Sequence, residues 1–134
     1  MSTNDSSGKI CNTRKMPKGN PPSSRFSNID LQQLQEEVQK WSTRNFPNAK
    51  PYQPLLGATE EIGELCHSHL KLEQGIRTDQ NHREKAEDAI ADIVIYLADY
   101  CWRNGYNLQD AIDKTWLKVK QRDWTKNKVN GEVK

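Results

Sequence analysis

Apolar residues recur along most of the chain at helical spacing, and nowhere do they alternate with period two between strand-type turn signals. Leu31, Leu34, Val38 and Trp41 follow one another at steps of three, four and three, a single apolar stripe. The spacing predicts a first helix starting near Ser27 or Asn28, with Asp30 in its first turn. It should stop at Asn45-Phe46-Pro47, because proline drives the preceding residue out of the helical region. A second helix is expected from Pro54, a good first-turn residue, to Gln74, with Gly75 as its stop. Asn81 and Glu84 have capping-box spacing and open a third helix that ends at Asn104-Gly105. Asn107 and Asp110 open a fourth, carrying Leu108, Ala111, Ile112, Thr115 and Val119 inward and fading after Trp124. All linkers are short, so the pattern predicts an all-α, four-helix bundle over residues 28–124. Residues 1–27, rich in Ser, Asn, Pro, Gly and Lys, read as a disordered basic tail, and residues 125–134 as a polar tail.

The least expected position lies inside the third helix. Ala89 to Ala98 is an apolar run broken only by Asp92. A helix apolar almost all round belongs in a core, which would turn Asp92 inward, and a carboxylate there needs an offsetting partner. Asp88 lies one turn earlier, about 40° away around the helix, so the two acids share a face. On the second helix Glu60, Glu61 and Glu64 form EExxE, with Glu64 about 40° from Glu60 and about 60° from Glu61. No comparable bases accompany either group, and a divalent cation between the two helices is the expected offset. Carboxylate oxygens favour Mg²⁺ or Mn²⁺ over zinc, and Mg²⁺ also binds substrate phosphates.

These residues carry a resemblance. Glu60-Glu61-Ile62-Gly63-Glu64-Leu65, followed by Asp88-Ala89-Ile90-Ala91-Asp92-Ile93-Val94-Ile95-Tyr96-Leu97, resembles the MazG-like all-α nucleotide pyrophosphohydrolases over residues 29–124. That group includes dimeric dUTPases, dCTP pyrophosphatases and phosphoribosyl-ATP pyrophosphohydrolase. The resemblance implies Mg²⁺-dependent hydrolysis of nucleoside triphosphates to monophosphate and pyrophosphate by a homodimer or homotetramer whose helical bundle is completed between subunits. It implies metal ligands at Glu61, Glu64 and Asp92. The family's ExxD would place a Glu where this chain has Ala89, and Asp88 is the geometric replacement. Glu60 is the candidate general base. Tyr96 matches a nucleotide-contacting position, though a core tyrosine would fit the pattern equally. Lys118 and Arg122, one turn apart on the fourth helix, resemble phosphate-holding bases, with Val119 and Lys120 where the family often has Asn. Trp41 or Phe46 could stack on a base, while the stripe favours Trp41 in the core.

Charge changes the picture in one respect. Residues 1–27 carry a net +4, residues 114–134 a net +5 and the middle −7, for +2 overall. An acidic middle and a basic C-terminal segment suit a metal and the phosphate it binds, or a nucleic-acid surface through Lys118 to Lys128. The second reading, a non-catalytic helical interaction module, lacks a recognised binding motif and is the rival from another class. Glu64 and His67 form the ExxH spacing of di-iron bundles, but Asp92 is followed three residues later by Ile95, so the motif is not repeated. His67 and His69 are expected on the helix surface. Cys11, Cys66 and Cys101 form no CxxC pair and are expected to be free thiols in a reducing compartment. No run is long and apolar enough to span a membrane and the first residues form no signal peptide, making the cytoplasm the expected location.

Overall fold

Three of the four helices begin where a side chain answers an unpaired backbone N–H. In the computed structural model, which describes residues 28–133, the helices are α1 (Leu31–Asn45), α2 (Gln53–Gln74), α3 (His82–Arg103) and α4 (Leu108–Val119), and no strand occurs among the described residues. The expected disordered tail, 1–27, lies outside them, as does Cys11. Asp30 caps α1 through a 2.7 Å bond from Gln33 N–H, so it precedes the helix instead of lying in its first turn. Asn81 caps α3 by accepting from Glu84 N–H, while Glu84 Oε2 accepts from the Asn81 side-chain amide at 2.9 Å and not from its backbone N–H. Gly75 ends α2 with φ of +62°, a left-handed conformation that glycine adopts without steric cost. Asn107 caps α4 by accepting from Asp110 N–H.

α2 and α3 lie against each other along most of their length, α1 packs on α3, and α4 meets only α1 and α3. The core is small: Val38, Ala98, Cys101 and Leu108 are buried together, with Leu31, Leu34 and Ile95 packed around them. Two glutamines on α1 pin the entry to α4. Gln35 donates to Tyr106 C=O and accepts from Leu108 N–H, both at 2.8 Å, and Gln32 accepts from the Asn107 amide.

α4 departs from the expected inward stripe. Only Leu108 is buried, whereas Ala111, Ile112, Thr115, Trp116 and Val119 line an open groove, because no element among the described residues lies over that face. The helix also ends at Val119, earlier than the expected Trp124. Beyond it Asp123 starts a turn, accepting from Thr125 and Lys126 N–H, while its own N–H donates to Gly131 C=O at 2.7 Å. Arg122 therefore lies past the helix end and not one helical turn from Lys118. An aspartate that binds the backbone two and three residues on competes directly with helix continuation.

No described helix is long and apolar enough to cross a membrane. Ile62, Leu70, Ile90, Leu97, Trp116 and Leu117 remain exposed.

Candidate functional site

A cleft of about 400 Å³ opens where the C-terminal end of α1 and the loop after it meet α2 and α3. Its lining combines apolar and aromatic side chains, Val38, Trp41, Phe46 and Pro54, with the polar Glu61, Asp92, Tyr96 and Asp99. Trp41 and Phe46 meet edge to face, with ring centroids 5.5 Å apart and planes at 71°. Each leaves about half its surface open, 48% and 52%. Trp41 is thus a wall of the cleft and not the core residue that the stripe implied, since no described element covers it on that side.

Asp92 also differs from expectation. It is exposed and faces the cleft instead of the core. Within its apolar run the residues sealed against neighbouring helices are the small ones, Ala89 and Ala98, while Ile90 and Leu97 face outward. The desolvation expected for Asp92 is consequently absent, and the burden falls on the acid opposite. Glu61 is half-buried, and its carboxyl is pushed above the ordinary carboxylate range by burial first, then by the charges of Asp92, Glu60 and Glu64.

Four of the five anticipated acids therefore share one field, but only Glu61 and Asp92 line the cleft. Glu60 and Glu64 are exposed beside it. Asp88 is exposed and is neither among the cleft residues nor among the charges acting on Glu61 or Tyr96. Among the described residues no three His, Cys, Asp or Glu side chains come together closely enough to form a metal cage. What the chain offers is a pair of carboxylates on facing helices with two more acids at the margin. That donor set fits Mg²⁺ of the kind held by one or two carboxylates, with water and substrate phosphate completing the shell, and does not fit a closed all-protein site. His67 does not join Glu64 in an ExxH site; its ring lies edge-on to His82 at 6.3 Å.

Tyr96 crosses the cleft floor against Gly57 of α2. A Cβ built at position 57 would overlap Tyr96 Cε1 and fall 2.5 Å from Cζ, so the close approach depends on glycine. Burial, then the charges of Glu61, Glu60, Asp92 and Asp99, push the Tyr96 phenol further up. It remains a hydroxyl donor at any physiological pH.

The far end of the cleft is held by groups the sequence reading did not single out. Arg103, only 7% exposed in its side chain, donates from Nε to Asp99 Oδ1 at 2.9 Å. Its remaining nitrogens donate to Ser42 Oγ at 2.6 Å, Ala49 C=O at 3.2 Å and Phe46 C=O at 3.4 Å. One guanidinium thus ties α3 to α1 and fixes the loop that places Phe46. Asn104 adds a bond to Pro51 C=O at 2.9 Å. The i,i+4 pair of Asp99 and Arg103 was the available signal, but such pairs usually mark a solvated face.

Lys118 and Arg122 are not brought to the acids. They line a separate groove with Gln121, Glu132 and Val133, and α4 does not pack on α2. Compared with protein-family models, curated proteins and solved structures, the chain matches none.

Proposed function

We propose that the protein is a Mg²⁺-dependent nucleoside triphosphate pyrophosphohydrolase of MazG-like type, converting (d)NTP to (d)NMP and pyrophosphate in cytoplasmic housecleaning or control of the dNTP pool. The observation that carries the reading is one cleft lined both by carboxylates from two packed helices, Glu61 and Asp92, and by the half-open rings of Trp41 and Phe46. The exposed ring surface of Trp41 and Phe46 stacks on the flat base, leaving the phosphates at Glu61 and Asp92. Mg²⁺ held by these two carboxylates, with Glu64 at the margin, would neutralise charge on the triphosphate and favour in-line displacement. Glu60 accepts the proton of a water whose oxygen bonds to the α-phosphorus as the bond to the bridging oxygen breaks and pyrophosphate leaves. The Tyr96 hydroxyl donates towards the sugar or α-phosphate. Asp88 has no direct part in this arrangement.

In this reading the unpaired apolar faces are covered by a second copy of the chain, and Lys118 and Arg122 reach phosphate from that copy. A Mg²⁺-dependent screen of (d)NTPs with pyrophosphate detection tests the activity, and including phosphoribosyl-ATP separates the related hydrolase. Asp92→Ala should abolish turnover while leaving the helical circular dichroism signal. Undiminished turnover by that variant, or salt-sensitive nucleic-acid binding without hydrolysis of any nucleotide, would count against the proposal.

A further inference from the structure

Asp99 is placed unlike the other acids. Its side chain is 13% exposed, and a single oxygen, Oδ1, accepts from both Arg103 Nε and Trp102 Nε1, at 2.9 and 2.7 Å. Oδ2 accepts nothing from the described residues, yet it is not a sealed, unpartnered atom, and Asp99 lines the cleft. A carboxylate clamped by one oxygen presents the other as a fixed acceptor with no donor capacity. The clamp is itself anchored, because Arg103 is tied to Ser42 and to the loop carbonyls. Such a group in a partly desolvated cleft is more than a solvated ion pair: it costs stability unless something donates to it, and water at the cleft mouth is replaceable by a ligand.

The location defines the ligand group. Asp99 lies seven residues beyond Asp92 on the same helix, about 10 Å along the axis, and on the side where Arg103 fixes the Phe46 loop. With the triphosphate at Glu61 and Asp92, as proposed above, the nucleoside extends along the same cleft towards Asp99. We infer that Asp99 determines base specificity by accepting a hydrogen bond at Oδ2 from an exocyclic amine, so that the cleft selects amino-bearing bases over their oxo counterparts. The inference rests on the nucleotide reading of the cleft. A uracil or hypoxanthine ring in the same position would turn a carbonyl oxygen towards a carboxylate, leaving two acceptors opposed and neither satisfied.

Matched pairs differing only in that group provide the test: CTP against UTP, and ATP against ITP. Steady-state kcat/KM with Mg²⁺ is measured for all four, together with metal-free equilibrium binding of CMP and UMP followed by tryptophan fluorescence. The wild-type protein should favour the amino member in at least one pair by about tenfold or more. Asp99→Asn should reverse that preference, because the amide oxygen can keep the bonds from Trp102 and Arg103 while its NH₂ faces the cleft as a donor. Equal or oxo-favouring ratios in both pairs for the wild-type protein would overturn the inference without any variant. An Asn variant with native circular dichroism and unchanged ratios would do the same. Hydrolysis with flat ratios removes the role of Asp99 and leaves the hydrolase standing. Amine-selective monophosphate binding with no turnover of any triphosphate removes the hydrolase and leaves Asp99 as the base reader. Absence of any nucleotide binding overturns both.

Discussion

Replacing Gly57 by alanine isolates the contact that sets Tyr96 in the cleft. In a helix interior the exchange normally gains about 1 kcal/mol from backbone entropy. Here the new methyl would overlap Tyr96 Cε1 and stand 2.5 Å from Cζ and 2.7 Å from Cδ1, the edge of a ring and not the end of a flexible chain. Overpacking of this kind costs about 1–3 kcal/mol, so Gly57→Ala should be net destabilising by up to about 2 kcal/mol. Two controls lie within the same protein. Gly63, on the same helix, has nothing within 4 Å of a built Cβ, and Gly63→Ala should stabilise by about 1 kcal/mol. In a Tyr96→Ala background the clash disappears, and Gly57→Ala should become stabilising there too, giving a coupling of about 1–3 kcal/mol in a double-mutant cycle. Urea unfolding followed by circular dichroism measures all of these. If Gly57→Ala raised the midpoint as Gly63→Ala does, or if the cycle closed with no coupling, the ring would not rest on the α2 backbone.

The cleft acids should cost stability in the absence of a cation. Glu61 is held above the ordinary carboxylate range, so its repulsion is fully present at neutral pH and is relieved as pH falls through its raised pKa towards the unfolded-state value. Glu61→Gln should therefore melt higher than wild type at neutral pH, lose that advantage below the carboxylate range and gain less from added Mg²⁺; equal melting at all pH values would refute this. Asp123 behaves oppositely: hydrogen bonds from Thr125 hold its carboxyl low, so its contribution is present above the unfolded-state value and is lost as pH falls through the folded one. The protection factors of the Thr125 and Lys126 amides against hydrogen exchange, read by NMR and referenced to the intrinsic rate at each pH, should fall on acidification, and Asp123→Ala should show the low protection already at neutral pH. Cys66 is exposed, whereas Cys101 is buried with its thiol pushed up by desolvation, so a maleimide should label Cys66 in the native protein and Cys101 only on unfolding.

Helix boundaries were legible wherever one side chain decides them. Asn81 with Glu84, Asn107 with Asp110 and the glycine at 75 act within a turn of their own position, so sequence spacing contains the whole cause. The end of α4 was misread because Asp123 binds forward into a turn that Gly131 closes from eight residues away. In the cleft, sequence could place Glu61 and Asp92 on facing helices, since their spacing is helical and the linker is short. It could not say which side of α3 was covered. Periodicity marks a run as apolar without naming its neighbours, so Asp92 was read as buried and Trp41 as core. Asp99 and Arg103 escaped notice because an i,i+4 ion pair looks the same on paper whether water or Ser42 lies behind it.

The same ambiguity about neighbours bears on assembly. Ala89 to Ala98 of α3 is apolar save for Asp92, and the described elements that pack on α3 are α2, α1 and α4. Ile90 and Leu97, about 20° apart around the helix, remain 52% and 37% exposed. Ile62 and Leu70 of α2 are likewise open, at 50% and 45%. Isolated exposed leucines need no explanation, but four large aliphatics on the two helices that carry the cleft acids suit a buried surface. A second copy supplying that cover makes stability depend on concentration. Wild-type protein should sediment as a dimer or tetramer and melt higher as concentration rises. Ile90→Lys with Leu97→Glu should produce a monomer whose melting point no longer depends on concentration, and each charged side chain, reaching water in the monomer, should leave the helical signal intact. A wild-type chain that remained monomeric at the highest soluble concentration would show that these side chains face water by default, and would leave Lys118 and Arg122 with no route to the cleft.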